Sequence, residues 1–267
     1  MRLSRAPLLF ALYPLLPHRA LGRLVRAWAE ARRPRWVVDA WTGEWLRRAD
    51  VDLEGTERGP FASVAEAFGR RLVPGGRALG AGLVSPVDGE VVATGTIVPG
   101  LRITVKGREM SLARVAGGVP LDPWLGGTYA VIFLSPRGYH HVHAPAPMTV
   151  DEVVWVPGRF YPQNHDALRA IPRVYERNER AVLRATTRDG APLLLVMVAA
   201  SLVGGVEVHG SLLAGGARPR SFDVEKGERL GSFLLGSTVV LLVPKSLGRE
   251  VSVLEGDALR MGQSLRS

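Results

Sequence analysis

The chain has no cysteine among its 267 residues. That excludes disulfides, a thiolate nucleophile and thiolate metal sites, and it leaves the compartment undecided. Any nucleophile must be a hydroxyl, an amine or a carboxylate. Lysine is scarce too, since all but three of the 34 basic residues are arginine. The apolar stretch 6–16 is interrupted by Pro7 and Pro14 and falls short of the roughly 20 residues that span a bilayer. Behind the basic start Met1-Arg2-Leu3-Ser4-Arg5 it imitates a signal peptide, but Pro17-His18-Arg19 follows with no small-x-small cleavage site, which argues against secretion.

A hydrophobic share of 46% is enough for a substantial core in one large or two small domains. The formal charge of +9 favours an anionic partner; nucleic acid, acidic lipid and a phosphorylated substrate all qualify. The arginines are scattered rather than clustered. Leu21, Leu24, Val25 and Trp28 alternate with Arg19, Arg23, Arg26 and Glu30 at helical spacing, which predicts an amphipathic helix. A second is predicted over 36–48, with Trp36, Val37, Ala40, Trp41 and Trp45 and with Arg47-Arg48 at its C-terminal end. Such Arg/Trp surfaces suit a membrane interface, or they cap a core. A short helix is expected near 61–68, with Ser63 and Glu66 as a capping box.

From Leu83 onward the pattern turns strand-like. Strands are expected over 90–98, 101–106, 129–134, 148–156, 173–186, 193–198, 205–209, 239–242 and 251–254, separated by Gly and Pro turns. This predicts an α+β, β-dominated fold: a sandwich or open-barrel β core behind an N-terminal amphipathic helical region. The division expected is a membrane-associating helical region over 1–50 and a catalytic β-rich domain over 51–267. Val224-Glu225-Lys226-Gly227-Glu228 and Val253-Leu254-Glu255-Gly256-Asp257 echo one another, too briefly to count as a repeat.

Three polar groups stand out. Gly236-Ser237 sits between a loop-like 224–231 segment and the apolar run 239–243. Glycine leaves its carbonyl unshielded, so the Ser237 hydroxyl can approach it, the geometry of an N-to-O acyl shift; a plain Gly-Ser turn is the alternative. Ser85-Pro86-Val87-Asp88-Gly89 carries a carboxylate in what also reads as a hairpin turn. Tyr139-His140-His141-Val142-His143 holds three of the six histidines. His141 and His143 would share a strand face, as two metal ligands could, but no third ligand is evident. Otherwise one histidine acts as a base toward Ser237, oriented by Asp88.

The ordered set Ser85-Pro-Val-Asp-Gly89, Ser135-Pro-Arg-Gly-Tyr-His-His-Val-His-Ala-Pro145, Val156-Pro157-Gly158, Arg177-Asn178-Glu179-Arg180 and Leu235-Gly-Ser-Thr238 resembles phosphatidylserine decarboxylase proenzymes, from about Leu15 to Gly256. The resemblance implies self-cleavage between Gly236 and Ser237. Residues 1–236 become the β chain, and Ser237 becomes a pyruvoyl cofactor opening an α chain of 31 residues, 237–267. It further implies Asp88, His143 and Ser237 as the self-processing triad and His140 as a participant in decarboxylation. Phosphatidylserine, an anionic membrane surface and the two chains of one precursor are the implied partners, with homodimerisation open and nucleic acid excluded. The implied location is peripheral, on the cytoplasmic face of the cell membrane. The chain departs from the family at Gly138 and His141, where an acid and an arginine are usual.

The chemistry fits those residue types. Serine is a weak nucleophile until a neutral histidine takes its proton. Attack on Gly236 gives an ester; loss of the Ser237 α-proton expels Gly236 as a carboxylate, and the dehydroalanine left behind tautomerises and hydrolyses to a ketone plus ammonia. Such a ketone forms a Schiff base with the substrate amine and takes up the electrons released with carbon dioxide, so no external cofactor is required. Two rivals remain at this level. A serine hydrolase would keep Ser237 internal, and a non-catalytic membrane-binding β domain would leave Asp88, His143 and Ser237 far apart.

Overall fold

The computed structural model describes residues 18–200, 205–213, 220–233 and 237–266. Two helices come first, α1 (His18–Glu30) and α2 (Arg35–Arg48), followed by the five-residue α3 (Val64–Phe68). The α3 start is the capping arrangement expected: Ser63 Oγ accepts from the Glu66 amide at 3.1 Å. The Glu66 carboxylate reaches back to the Ala62 amide, one residue before the expected partner. Both α1 and α2 pack on α3. The second helix is not amphipathic in the expected sense. Val38 and Thr42 face inward while Trp36 and Trp41 point to solvent, so its apolar residues lie on both sides.

The strands are β1 (Gly89–Thr96), β2 (Arg102–Val105), β3 (Arg108–Ser111), β4 (Thr128–Leu134), β5 (His141–His143), β6 (Met148–Val156), β7 (Arg180–Thr187), β8 (Pro192–Ala199), β9 (Val206–Val208), β10 (Ser211–Leu212), β11 (Phe222–Val224), β12 (Arg229–Phe233), β13 (Ser237–Val243) and β14 (Ala258–Leu259). An eight-stranded antiparallel sheet has the order β11-β6-β7-β8-β13-β4-β1-β14, a four-stranded sheet the order β10-β9-β12-β5, and β2–β3 is a separate hairpin. Among the described residues the remaining α-helices are the short α4 (Leu112–Val115), α5 (His165–Ala170) and α6 (Val174–Arg177), beside 3-10 turns.

Strand alternation explains the layers. Val239, Leu241 and Val243 of β13 join Ile132, Leu195 and Leu183 in a core shared with Val142, Val208 and Leu230 of the small sheet. Val240 and Leu242 point the other way, into a second core closed by the β2–β3 hairpin, α4, α5 and α6. The large sheet is thus covered on both faces, which is why its central strands read as unbroken apolar runs. All seven residues of β13 are buried.

Three expectations need correction. Residues 173–186 are not one strand: Val174–Arg177 is a helical turn, and β7 begins only at Arg180. The 224–231 segment is not a loop throughout, because Arg229 onward forms β12. Residues 251–254 make no strand, although Val251 and Val253 lie in the core. The two echoing phrases do form the same turn: the Glu225 amide donates to Glu228 and the Leu254 amide to Asp257, each around a left-handed glycine, Gly227 or Gly256.

Candidate active site

Ser237 opens β13, directly across from Leu134 of β4 and Ala199 of β8. Its side chain shares the face of Val239, toward the small sheet. It is fully buried, and its Oγ has no hydrogen-bond partner among the described residues. Thr238 faces the opposite side and donates to Gln163 Oε1 at 2.6 Å, while Gln163 Nε2 donates to the Ala199 carbonyl at 3.0 Å. The strand end is therefore held by its ladder and by Gln163, and the serine hydroxyl is left free. Gly236 lies outside the described residues.

Asp88 sits in the bend before β1. A Cβ on Gly89 would lie 2.6 Å from the Phe133 carbonyl, so only glycine lets the strand start so close to β4 right after the acid. One Asp88 oxygen accepts from the Met261 amide at 2.7 Å, and the other accepts from Arg77 at 3.0 Å in a buried ion pair. The His143 amide bonds the Pro86 carbonyl at 2.9 Å, which lays the Asp88 loop beside β5.

The three neighbouring histidines have three different environments. His143 has Nδ1 at 2.8 Å from the Gly227 carbonyl and Nε2 at 2.8 Å from the Tyr139 hydroxyl. A carbonyl only accepts, so Nδ1 carries the proton and Nε2 receives the tyrosine's. His141 Nε2 donates to the Gly69 carbonyl at 3.0 Å, and its Nδ1 accepts from Arg229 at 2.7 Å. Arg229 also pairs with Glu207. His140 Nδ1 donates to the Gly138 carbonyl at 3.0 Å, while its Nε2 is buried with no partner. Burial holds all three imidazoles neutral. It pushes His140 down to about 3 and His141 to about 4, against their backbone hydrogen bonds. It lowers His143 as well, opposed by the Gly227 bond and the nearby Asp88 charge. Burial likewise raises the Tyr139 hydroxyl, so it stays a donor.

The backbone thus lays the Asp88 loop beside the strand of His143, but among the described residues no hydrogen bond joins Asp88, His143 and Ser237. His141 and His143 alternate with Val142 and Ala144, which point into the inter-sheet core. His140 falls on the Val142 side, because the Phe233 amide bonds its carbonyl at 3.1 Å and carries the β5–β12 ladder one residue further. No group of three or more metal-binding side chains occurs among the described residues. Sequence reasoning missed Arg70, which is wholly buried and donates to Gly138, Arg137 and Asp52 carbonyls, and it missed Arg77 on Asp88. Nothing local marks either among so many arginines.

Buried neutral imidazoles and a buried, unpartnered hydroxyl in one fold are parts that suit an enzyme site better than a binding face. Comparison with known proteins agrees. Residues 64–267 match the family model described as phosphatidylserine decarboxylase. The chain is 34% identical over 275 residues to a phosphatidylserine decarboxylase proenzyme of Pseudomonas putida, covering 94% of each chain. It is 36% identical to one of Xanthomonas euvesicatoria and 35% to one of Xanthomonas campestris, in each case over 94% of this chain and 95% of the relative. The chain belongs to the phosphatidylserine decarboxylase family.

Proposed function

We propose that the chain is a proenzyme that cuts itself between Gly236 and Ser237, converts Ser237 to a pyruvoyl group, and decarboxylates phosphatidylserine to phosphatidylethanolamine and carbon dioxide. The observation that carries this reading is the Ser237 hydroxyl, fully buried at the head of the central strand and without a hydrogen-bond partner among the described residues. A buried orphan hydroxyl costs stability, and a nucleophile is a reason to keep one. Ser237 also fits as the precursor of the group, because its ladder to β4 and β8 would keep the new chain end in place. The pyruvoyl ketone supplies the electron sink for the carbanion left as carbon dioxide departs. His143 takes the Ser237 proton once Tyr139 releases its Nε2, and Asp88 stabilises the imidazolium by charge. His140, neutral and with a bare Nε2, holds or delivers a proton at the substrate's reacting carbon.

One observation favours a second assignment within this reading. Both His143 nitrogens are occupied and His140 Nε2 is not, so His140 itself can serve as the base for self-cleavage. The two assignments part on which substitution leaves the chain uncut. The overall reading is tested by intact-mass spectrometry. Active wild-type protein is expected as two chains, the smaller carrying a pyruvoyl group in place of Ser237, and Ser237→Ala as one chain of 267 residues. A single full-length species with full decarboxylase activity would overturn it.

The lipid substrate requires the site to meet a membrane. Leu24 (69% exposed), Trp28, Trp36 (76%) and Trp41 present apolar surface on α1 and α2, and Arg32, Arg33 and Arg35 line a depression between the two helices. That pairing of aromatic and cationic groups suits the interface of an anionic bilayer, with the protein lying on it. No helix among the described residues is long and apolar enough to cross a membrane. Trp36→Ala/Trp41→Ala should float poorly with anionic vesicles, and salt should weaken the wild-type association; unchanged flotation would assign the anchor elsewhere.

A further inference from the structure

Three consecutive residues, Phe68, Gly69 and Arg70, grip the segment Gly138–His141. The Phe68 ring lies 4.0 Å from the His140 imidazole, centroid to centroid. The Gly69 carbonyl accepts from His141 Nε2 at 3.0 Å. Arg70 Nη2 donates to the Gly138 carbonyl at 2.8 Å, the same oxygen that accepts from His140 Nδ1 at 3.0 Å. Further bonds from Nη2 to the Asp52 and Arg137 carbonyls, at 2.9 and 3.1 Å, fix the guanidinium.

Arg70 is 0% exposed, and among the described residues its guanidinium bonds carbonyls and pairs with no carboxylate. A buried guanidinium bonded to carbonyls, with its Nε left unpartnered among the described residues, is an expensive way to tie down a loop. It does what an apolar side chain cannot: it fixes and polarises one carbonyl, and that carbonyl fixes a proton on His140 Nδ1. An imidazole whose Nδ1 is the donor has its lone pair on Nε2. Phe68, packed on the ring, keeps the imidazole from swinging to satisfy that lone pair.

We infer that Phe68 and Arg70 are positioning residues that hold His140 in its Nδ1–H tautomer with Nε2 bare, and that the docking helices set this clasp through Trp45. The inference rests on the reading that His140 serves the reaction. The link to the helices is direct. Helix α3, which ends at Phe68, is five residues long, too short to hold itself, and is braced by α1 and α2. The Trp45 ring of α2 lies 5.9 Å from Phe68. An aromatic series thus runs from the exposed helices through Trp45 and Phe68 to His140. The element a lipid surface would seat is the one from which the His140 clasp hangs.

The test uses the full chain as Ser237→Ala, with nitrogen-15 NMR of its imidazoles and His140 assigned by comparison with an added His140→Gln. With the clasp intact, His140 is expected as the Nδ1–H tautomer. Arg70→Lys, Arg70→Met and Phe68→Leu are each expected to populate the Nε2–H form, and Trp45→Ala to do so in part. An unchanged tautomer in the Phe68 and Arg70 variants would overturn the inference, and Arg70→Lys and Phe68→Leu keep the test open if Arg70→Met does not fold. In the cleaved enzyme, Arg70→Lys should lower kcat about 10- to 100-fold, the scale of a reacting group displaced by about 1 Å, with little change in KM. In a His140→Ala background it should cost almost nothing more. An equal cost in both backgrounds would also overturn it. If His140→Ala left kcat intact while the tautomer still followed Arg70, the assigned role of His140 would fail and the clasp would stand.

Discussion

Two corners of this site are lined by histidines from one short stretch, and they differ in whether their polar atoms have partners. At the Asp88–His143 corner both carboxylate oxygens and both ring nitrogens are taken, by Arg77, the Met261 amide, Gly227 and Tyr139. At His140 and at Ser237, by contrast, one lone pair and one hydroxyl are buried with nothing to bond among the described residues. An unmade hydrogen bond on a buried group costs roughly 1–3 kcal/mol, so the second corner is a standing cost and the first is a brace. The lesson is that residues proposed to act together need not share one state in the folded chain. On the proposed reading His143 is satisfied and must be released before it can act, whereas the His140 Nε2 and Ser237 Oγ atoms have no partner to give up among the described residues.

The sharpest break of that comparison comes from substituting each corner's histidine and weighing the chains on a mass spectrometer. With His143 as the base for self-cleavage, His143→Ala stays uncut while His140→Ala is cut and loses about 10²- to 10⁴-fold in decarboxylation, the usual worth of a proton-transfer group. An uncut His140→Ala beside a normally cut His143→Ala would move the role to the bare nitrogen. Tyr139→Phe refines the result. It frees His143 Nε2, so cleavage should quicken if His143 is the base and stay the same if His140 is.

The next effect is on stability. Arg77→Met leaves Asp88 as a buried charge without its cation, a change that typically costs about 3–5 kcal/mol. Ser237→Ala removes a hydroxyl that bonds nothing and should leave the urea midpoint unchanged or slightly higher. Equal destabilisation by both would mean that the two corners do not differ as drawn. Both measurements belong in chains that remain in one piece, Arg77→Met being made on Ser237→Ala.

Much of the framework was legible in the sequence because it follows from side-chain period. The run 239–243 is buried on both sheet faces and reads so, and α1 carries its apolar and arginine residues at helical spacing. The misreadings have local causes. Val174–Arg177 is one helical turn between a proline and a strand, shorter than any periodic signal. Strand β12 contains Gly231, demanded because a Cβ there would lie 2.2 Å from the Glu207 carbonyl, and glycine in a sequence reads as a turn. The site was legible as a set of residue types but not as a set of bonds. Which nitrogen of which histidine is free depends on the carbonyls of Gly69, Gly138 and Gly227, and glycines carry no side chain to announce an acceptor. Arg70 is invisible for a different reason: only tertiary packing separates a buried arginine from its exposed neighbour Arg71.

The smallest effect is the dependence of stability on pH, and it tests whether these imidazoles are as neutral as their burial demands. In the unfolded chain each takes a proton near about 6.5. Folded, His140 does so only near about 3 and His141 near about 4, because burial penalises the cation. Between those values the unfolded chain binds more protons than the native one, so stability is full above about pH 6.5 and is lost as pH falls. From pH 7 to 5 each of the two should contribute a loss of about 1–2 kcal/mol. Burial raises Glu207, but Ser232 and Arg229 outweigh it and keep its titration below the usual carboxylate range. Urea midpoints of Ser237→Ala at pH 7, 6 and 5 should therefore fall. His140→Gln and His141→Gln should each remove part of the slope, and the pair most of it. His140→Gln carries the sharper meaning, since the bare corner loses its titrating group without losing a saturated one. His143, also lowered by burial, keeps a share of the slope; a slope left undiminished by both substitutions would place the titrating groups elsewhere and leave His140 less buried in solution than its packing under Phe68 requires.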